Sequence, residues 1–303
     1  MDIQKSNIWQ ELPYEKWKGT CSTLQMWMQI GGKIKLELCP FQNHWWHITY
    51  FVTSRGMTSR RIPYGDEWFE IDFDFIDHKM YLRKSDGQVS LIDLVPCSVA
   101  DYYKMFMDAL KGIGIEVKIN TLPQEVPNPV PFEKDEKNCF YDKEYVERWW
   151  KILAGITAVF EKFRSPFYGK ASPVHFYWGS FDLSLTLYSG KIAEPPQGAD
   201  QMFRLAENRE NYAVGFWAGS EAFPKPAFYF YMYPAPAGIE KINIKPQKAY
   251  WDTNLREHIL LYDDVINSAS PEPAIMDFLQ SSFDESVKLA GWDMKTLLGP
   301  EAK

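Results

Sequence analysis

Hydrophobic and polar positions along the chain alternate in ways that predict both helices and strands. In the first half, apolar side chains recur at helical spacing from Leu24 to Cys39, and Pro40 ends the run. Thr20 and Ser22 are the predicted N-caps of this helix. After it we predict strands at 44–53, 68–76, 79–83, 89–94 and 116–119, and a helix from about 98 to 114.

The second half of the chain repeats this order of elements. Residues 121–137 hold four prolines without periodicity, which predicts a linker between two α+β units at 1–120 and 138–303. In the second unit we predict a helix at 142–164, strands at 175–188, 212–217 and 227–233, and a helix at 273–290. Residues 190–211 are expected to be a surface loop or a lid. The predicted fold class is therefore α+β: two pseudo-repeated helix–strands–helix units with mostly antiparallel sheet, packed as one compact body.

Aromatic residues are unusually frequent, with 12 Trp, 17 Tyr and 20 Phe making up 16% of the 303 residues. Most of these rings are expected to fill a core, and a minority are expected to wall a pocket between the two units. Tyr229 and Tyr231 alternate with phenylalanines, so one face of their strand is a row of phenols. The predicted ligand-binding residues are Trp46, Trp178, Tyr229, Tyr231 and, for an acidic group, Arg55.

Charge and cysteine content exclude several classes of protein. The net charge is −7 and no basic run occurs, so we expect no nucleic-acid partner. No signal-peptide pattern and no bilayer-length apolar stretch is evident, so we expect no membrane partner. The four cysteines are far apart and form no CxxC pair, which favours a reduced, cytoplasmic protein. We predict no cofactor, and oligomeric state stays open.

The histidines are few, and their spacing bears on a metal site. His44 and His47 bracket two tryptophans, but residues three apart on a regular strand point to opposite faces and cannot bind one ion. Further ligands would have to come from His78, His175 or the acidic residues near position 74, in no established pattern. We therefore predict no metal.

The segment 174–186 is the best candidate for chemistry. Its alternation places Ser180 and Asp182 on one face and His175 on the other. Asp182 would orient a histidine or a substrate, or it would simply face water on the outer side of an antiparallel sheet. The predicted catalytic residues are His47, His175, Asp182 and His78, the last at the end of a predicted strand.

Several long strings in the chain resemble one known family. They include TLQMWMQIGGKIKLELCPFQNHWWHITYFVTSRGMTS, FRSPFYGKASPVHFYWGSFDLSLTLYSG and AFYFYMYPAPAG. They are similar to the uncharacterised family DUF5996, and the resemblance runs from about Trp9 to Trp292. It implies a bacterial origin and no particular activity. It also implies a histidine where this chain has Gln25 and an arginine where it has Leu187.

Three functional hypotheses follow from these observations. The first is a protein that binds a small aromatic or amphipathic molecule in the aromatic pocket. The second is a hydrolase or lyase-like enzyme that uses His47 or His175 with Asp182, or Asp77 with His78. The third is a non-catalytic interaction protein whose aromatic residues only fill a core.

Overall fold

The computed structural model of the protein describes residues 8–299 and divides them into two compact units. The N-terminal unit consists of residues 12–154 and 175–182, and the C-terminal unit consists of the remaining described residues, 8–11, 155–174 and 183–299. The units combine helices with two antiparallel sheets, which confirms the predicted α+β class. The predicted pseudo-repeat of the two halves stays a prediction.

In the N-terminal unit, one long helix packs with an antiparallel sheet. The sheet order is β1-β2-β4-β5-β6, with β3 also paired to β4. The elements are α1 (Tyr14–Leu38), β1 (Phe51–Val52), β2 (Gly56–Thr58), β3 (Ile62–Tyr64), β4 (Glu67–Asp74), β5 (Lys79–Lys84), β6 (Val89–Asp93), α2 (Val99–Gly112), the start of α3 (Lys143–Arg164) and β7 (His175–Tyr177). The segment 121–137, predicted to be a linker, belongs to this unit and is irregular apart from a short 3-10 turn at Phe132–Lys134.

Helix α1 begins earlier than predicted, at Tyr14, immediately after Pro13. The predicted caps Thr20 and Ser22 therefore lie inside the helix, and the hydroxyl groups of Thr20 and of the nearby Thr23 bind another segment. Thr20 accepts a hydrogen bond from the backbone N–H of Asp142 at 3.0 Å, just before α3. Thr23 does the same for Phe140, also at 3.0 Å. Polar side chains of α1 thus satisfy backbone groups of a distant segment, which periodicity alone does not reveal.

The predicted strand at 44–53 is wrong over most of its length. Residues Asn43–Ile48 form a 3-10 segment in which His44 and Trp45 both have φ of 60°, and only Phe51–Val52 is a strand. Left-handed backbone is costly for such residues, so neighbouring contacts must hold it. Two side chains of the 175–182 segment do so, since Tyr177 donates to the His44 carbonyl at 2.8 Å and Trp178 donates to the Ile48 carbonyl at 2.9 Å.

The remaining strands of this unit follow the predicted alternation. Along β4, Phe69, Ile71 and Phe73 are buried while the acidic residues between them are partly exposed. Helix α2 begins close to the predicted position, and Ser98 caps it by accepting a hydrogen bond from the Asp101 N–H. The strand predicted at 116–119 is absent, because the Glu116 N–H is bound by the Tyr64 hydroxyl at 3.0 Å rather than by a neighbouring strand.

The C-terminal unit is built around the sheet order β11-β12-β10-β9-β8. Its elements are the end of α3, β8 (Asp182–Ile192), α4 (Gln201–Ala206), β9 (Arg209–Trp217), β10 (Ala227–Tyr233), β11 (Tyr250–Asp252), β12 (Glu257–Leu261), α5 (Tyr262–Ile266), α6 (Pro271–Leu289) and α7 (Met294–Leu297). The single strand predicted at 175–188 is two strands, because the backbone turns between Tyr177 and Asp182, where Phe181 has φ of 59°. Part of the segment predicted to be a loop at 190–211 is helical.

A close contact in the N-terminal unit generates a stability prediction. A Cβ atom at Gly32 of α1 would lie 2.3 Å from Nε1 of Trp178, so Gly32→Ala must displace the indole ring. We expect the variant to lose about 1–3 kcal/mol of unfolding free energy, as overpacked cores do. Gly112→Ala, at the end of α2 with no atom within 4 Å, is the matched control. It should gain about 0.5 kcal/mol through a less flexible unfolded chain.

Urea unfolding of both alanine variants measures the difference. Equal midpoints for Gly32→Ala and the unsubstituted protein would show that the indole does not pack on Gly32.

Candidate functional site

The candidate site is centred on the short strand β7. This strand lies beside Tyr50, which follows the 3-10 segment Asn43–Ile48. Tyr50 and Phe176 exchange two backbone hydrogen bonds of 2.9 and 2.8 Å. Phe176 packs into the core against Trp149, with ring centroids 5.6 Å apart. His175 and Tyr177 flank Phe176 along the strand, so their side chains leave on the opposite face. Their rings meet edge to face at a centroid distance of 4.7 Å.

His175 is fully buried, and neither of its ring nitrogens has a hydrogen-bond partner. Besides Tyr177, its ring faces Trp46 at 6.5 Å and Phe51 at 6.4 Å between centroids. Burial, together with the smaller effect of the positive charges of Lys35 and Arg60, lowers the pKa of His175 to about 3. The imidazole is therefore neutral at physiological pH, with one unused donor and one unused acceptor.

The other buried histidines contrast with His175 because each has a polar contact. His258 of the C-terminal unit is 3% exposed, and its Nε2 lies 2.7 Å from the carbonyl oxygen of Ile239. His47 accepts a hydrogen bond from the Gln42 N–H at 3.3 Å, and burial lowers its pKa. His44 Nε2 lies 3.3 Å from the side-chain amide of Asn43. An imidazole without any partner thus distinguishes His175 within the described chain.

Two cations adjoin His175. Lys35 of α1 is 4% exposed and donates hydrogen bonds of 2.5 Å to the carbonyls of Thr49 and Ser59. Burial lowers the pKa of Lys35 to about 8, so the amine stays mostly charged at neutral pH. Arg60 is exposed, and its guanidinium carbon lies 3.2 Å from the ring centroid of Phe51. Within residues 8–299, neither cation forms an ion pair with a carboxylate. The His175 site is defined here as His175, the rings of Trp46, Phe51 and Tyr177 around it, and the two cations whose charge acts on it, Lys35 and Arg60.

A second polar cluster lies along one stripe of α1 and was missed from the sequence. Gln25, Gln29 and Lys33 are four residues apart and so share a helix face. The Gln29 amide donates to the Gln124 carbonyl at 2.8 Å and accepts from the Gln124 N–H at 2.9 Å. The Gln25 amide donates to the Gly179 carbonyl at 2.6 Å. The available signal was three polar residues at helical spacing within the otherwise apolar stretch 24–34 of the helix.

Lys33, at the end of this stripe, is 2% exposed. Its ammonium contacts the Gln124 side-chain oxygen at 3.5 Å and lies 6.0 Å from the ring centroid of Trp178. Burial lowers its pKa to about 8, against a smaller opposing effect of Glu37. The predicted ligand-binding residue Trp178 therefore borders this stripe.

Two carboxyl groups that influence each other electrostatically lie near Gly179. Glu125 has φ of 57°. Its carboxyl group packs directly on the backbone of Gly179, since a Cβ atom added at Gly179 would lie only 2.1 Å from Oε1 of Glu125. Asp182, 6% exposed, accepts a hydrogen bond from Ser180. Much of Glu125 faces solvent, but burial of its carboxyl end, with the nearby charge of Asp182, raises its pKa to about 7. Such a pair can hold one proton between two acids.

The other predicted residues of the N-terminal unit lie in separate surroundings. Arg55 pairs with Asp74 at 2.5 Å and with Asp77 at 2.8 Å, so its charge is already compensated. His78 Nδ1 lies 3.0 Å from the Tyr141 hydroxyl oxygen, and burial lowers the pKa of His78. The structure brings neither residue into contact with His175.

Tyr229 and Tyr231 lie on β10 in the C-terminal unit. Their rings stack at 6.3 Å between centroids, and the Tyr231 hydroxyl donates to Glu207 at 3.1 Å. Tyr229 covers Gly215, where a Cβ would come within 2.3 Å of its hydroxyl oxygen. A cavity of about 20 Å³ in this unit, lined mainly by phenylalanines and Leu187, contains neither tyrosine. It has room for about one water molecule.

Residues 8–299 contain neither a cluster of metal ligands nor a membrane-spanning helix. No group of three or more His, Cys, Asp or Glu side chains there is placed to hold a metal ion. None of the helices in that range is long and apolar enough to cross a bilayer.

The fold and the site together define an α+β protein with two antiparallel sheets and a neutral, unpartnered histidine beside buried positive charge. The chain belongs to the family of unknown function DUF5996, whose model matches residues 9–298. This confirms the resemblance seen in the sequence. No curated protein matches the chain, and no solved structure matches it.

The raised pKa of Glu125 predicts how stability depends on pH. The pKa rises from 4.5 to about 7 on folding, so the folded protein binds more protons between these values. The stabilising effect of this proton is complete below pH 4.5 and is lost as the pH rises through about 7. Glu125→Gln should therefore match the unsubstituted protein at pH 4.5 and be the more stable of the two at pH 8.

Urea unfolding across this pH range tests the prediction, with Glu136→Gln, an exposed residue of the same segment, as control. A constant difference between Glu125→Gln and the unsubstituted protein at every pH would contradict it.

Proposed function

We propose that this protein binds a small aromatic or amphipathic molecule at the His175 site of its N-terminal unit. The observation that carries the proposal is a fully buried imidazole whose two nitrogens have no hydrogen-bond partner. Buried polar groups in folded proteins almost always have partners, and each unsatisfied one costs about 1–3 kcal/mol. A ligand that hydrogen-bonds to the two ring nitrogens would remove this unfavourable free energy, which no hydrogen bond within the described residues offsets.

The walls of the site support an aromatic or amphipathic ligand. Trp46, Phe51 and Tyr177 surround His175 with rings, which offer flat apolar surface. A neutral imidazole offers one donor and one acceptor, which fix the orientation of a polar group. This combination of apolar walls with few polar groups is typical of small-molecule sites.

Access to the site is supported by the position of Arg60. Phe51 is partly exposed, and the flexible guanidinium of Arg60 covers its ring from the solvent side. A rotation of this exposed side chain uncovers Phe51 without breaking a hydrogen bond, because the guanidinium makes none within the described residues. The ligand would then enter between Arg60 and Phe51. It would take the place of the Phe51 ring beside His175.

The cellular setting forms part of the proposal. We propose a protein of the reducing bacterial cytoplasm without nucleic-acid or membrane partners. Cys21, Cys39, Cys97 and Cys139 are all free thiols, which fits such a compartment.

The proposal is tested with histidine-labelled protein and the small aromatic probes phenylacetate, phenylacetamide and phenethylamine. At least one probe should shift the imidazole NMR signals of His175 saturably, and His175→Phe should abolish that binding. The signals of His258, which lies in the C-terminal unit, provide the control in the same sample. The proposal fails if no probe moves the His175 signals at millimolar concentration, or if His258 responds equally.

A stability measurement separates a functional histidine from a structural one. Because His175 makes no hydrogen bond, His175→Phe should unfold at the same urea concentration as the unsubstituted protein or a higher one, with a gain of up to about 1 kcal/mol. His258→Phe leaves the Ile239 carbonyl without its partner and should lose about 1–3 kcal/mol. A large loss for His175→Phe would mean that the imidazole is part of the structure.

A second candidate function is acid–base catalysis by Glu125 and Asp182. The observation that favours it is the carboxyl pair beside Gly179, in which the pKa of Glu125 is raised to about 7, near the optimum for a general acid or base. A screen of chromogenic esters, phosphoesters and glycosides tests it. Any turnover should disappear in both Glu125→Gln and Asp182→Asn while the circular dichroism spectrum is unchanged. Turnover that survives both substitutions contradicts this role.

A further inference from the structure

We infer that the ligand of the His175 site is an anion, namely a small aromatic or amphipathic carboxylate or phosphate ester whose acidic group lies between Lys35 and Arg60. The inference rests on the proposed binding function and adds the chemical class of the ligand. Three observations support it. Within the described residues, Lys35 and Arg60 have no acidic partner, both have hydrogen-bond donors that are not used, and no titratable group near Lys35 carries a negative charge.

The positive charge at this site differs from the charges on the sheet of the N-terminal unit in having no acidic partner among the described residues. Elsewhere in the unit, cations on the sheet have acidic partners: Arg55 pairs with Asp74 and Asp77, and Lys84 pairs with Glu67 and Asp86, both at 2.8 Å. Lys35 and Arg60 form no ion pair within residues 8–299, although Lys35 is almost fully buried. A buried charge without a counter-charge is costly, so a bound anion would be favoured.

The other titratable groups near Lys35 do not supply the missing negative charge. Burial raises the pKa of the Cys39 thiol, which therefore stays neutral. His47 also lies near Lys35, and burial lowers its pKa, so it is neutral as well. His175 is neutral for the same reason. Among these groups, only Lys35 and Arg60 are charged, and both charges are positive.

The unused donors match an oxyacid group. Lys35 directs two hydrogen bonds to backbone carbonyls, which leaves one of its three N–H groups. The guanidinium of Arg60 makes a ring contact with Phe51 and no hydrogen bond to the described residues. A planar guanidinium binds carboxylates and phosphates through two parallel hydrogen bonds, and a neutral imidazole contributes one more donor. A cationic ligand would be repelled by both charges, and a neutral one would leave them uncompensated.

The experiment compares one ring carrying three different charges. Phenylacetate, phenylacetamide and phenethylamine are titrated separately, and the dissociation constant of each is read from the His175 imidazole signals. We expect phenylacetate to bind at least about tenfold more tightly than phenylacetamide, and phenethylamine to bind most weakly. Phenyl phosphate, titrated in the same way, distinguishes a preference for phosphate from one for carboxylate.

A pair of neighbouring arginines provides matched variants. Arg60→Gln should weaken phenylacetate binding by about tenfold and should weaken phenylacetamide binding much less, because the neutral amide loses no ionic attraction. Arg61→Gln is the control, because Arg61 is also exposed and contacts a ring, with its guanidinium carbon 5.6 Å from the centroid of Trp68. Arg60 is chosen over Lys35 because its exposed side chain can be changed without disturbing the buried carbonyl contacts of Lys35.

Each contrary outcome has a distinct meaning. If phenylacetamide binds at His175 as tightly as phenylacetate, the anion inference is overturned while the proposed function stands. Equal weakening in Arg60→Gln and Arg61→Gln would trace binding to general surface charge and also overturn it. Inorganic phosphate binding as tightly as phenyl phosphate would exclude the aromatic part of the ligand. If no probe of any charge moves the His175 signals, the proposed function fails and the inference fails with it.

Discussion

Trp178 packs against the backbone of α1 at Gly32, where no side chain intervenes, and donates its indole hydrogen bond to the Ile48 carbonyl. The contact fixes the segment 175–182 against both α1 and the turn that follows it. Tyr50 and Phe176 then pair through their backbones, which places His175 against Phe51. This eight-residue segment supplies His175 and Tyr177 to the His175 site and Asp182 to the carboxyl pair, so both depend on the same contact.

Buried charge is handled in an unusual way within the N-terminal unit. Lys33 and Lys35 are both on α1 and both almost fully buried, yet each is bound by neutral oxygen atoms, an amide for Lys33 and two carbonyls for Lys35. Carbonyl dipoles lower the cost of burying an ammonium group without cancelling its charge. Burial, and to a smaller extent this remaining positive charge, keeps His175 neutral. The same charge would favour the anionic ligand proposed above.

Periodicity predicted the elements whose burial is one-sided and failed where side chains hold the backbone in unusual conformations. Strand β4 and helix α2 follow their hydrophobic patterns closely, because one face of each meets the core. The run HWWHITYFVT has the composition of a strand, but His44 and Trp45 adopt left-handed backbone held by Tyr177 and Trp178, more than a hundred residues away. Local propensity cannot anticipate a hydrogen bond from so distant a residue.

The sequence by itself determined the α+β class, because composition and alternation are local properties, and the family, because long strings of residues resemble it. It also named two residues of the proposed site, His175 and Trp46. Only the tertiary structure decided that Lys35 and Arg60 adjoin His175, and that the carboxyl groups of Glu125 and Asp182 lie near Gly179. Exposure and pKa depend on which distant side chains exclude water from a group. A lysine in a helix or an arginine in a turn looks the same in the sequence whether it is solvated or enclosed.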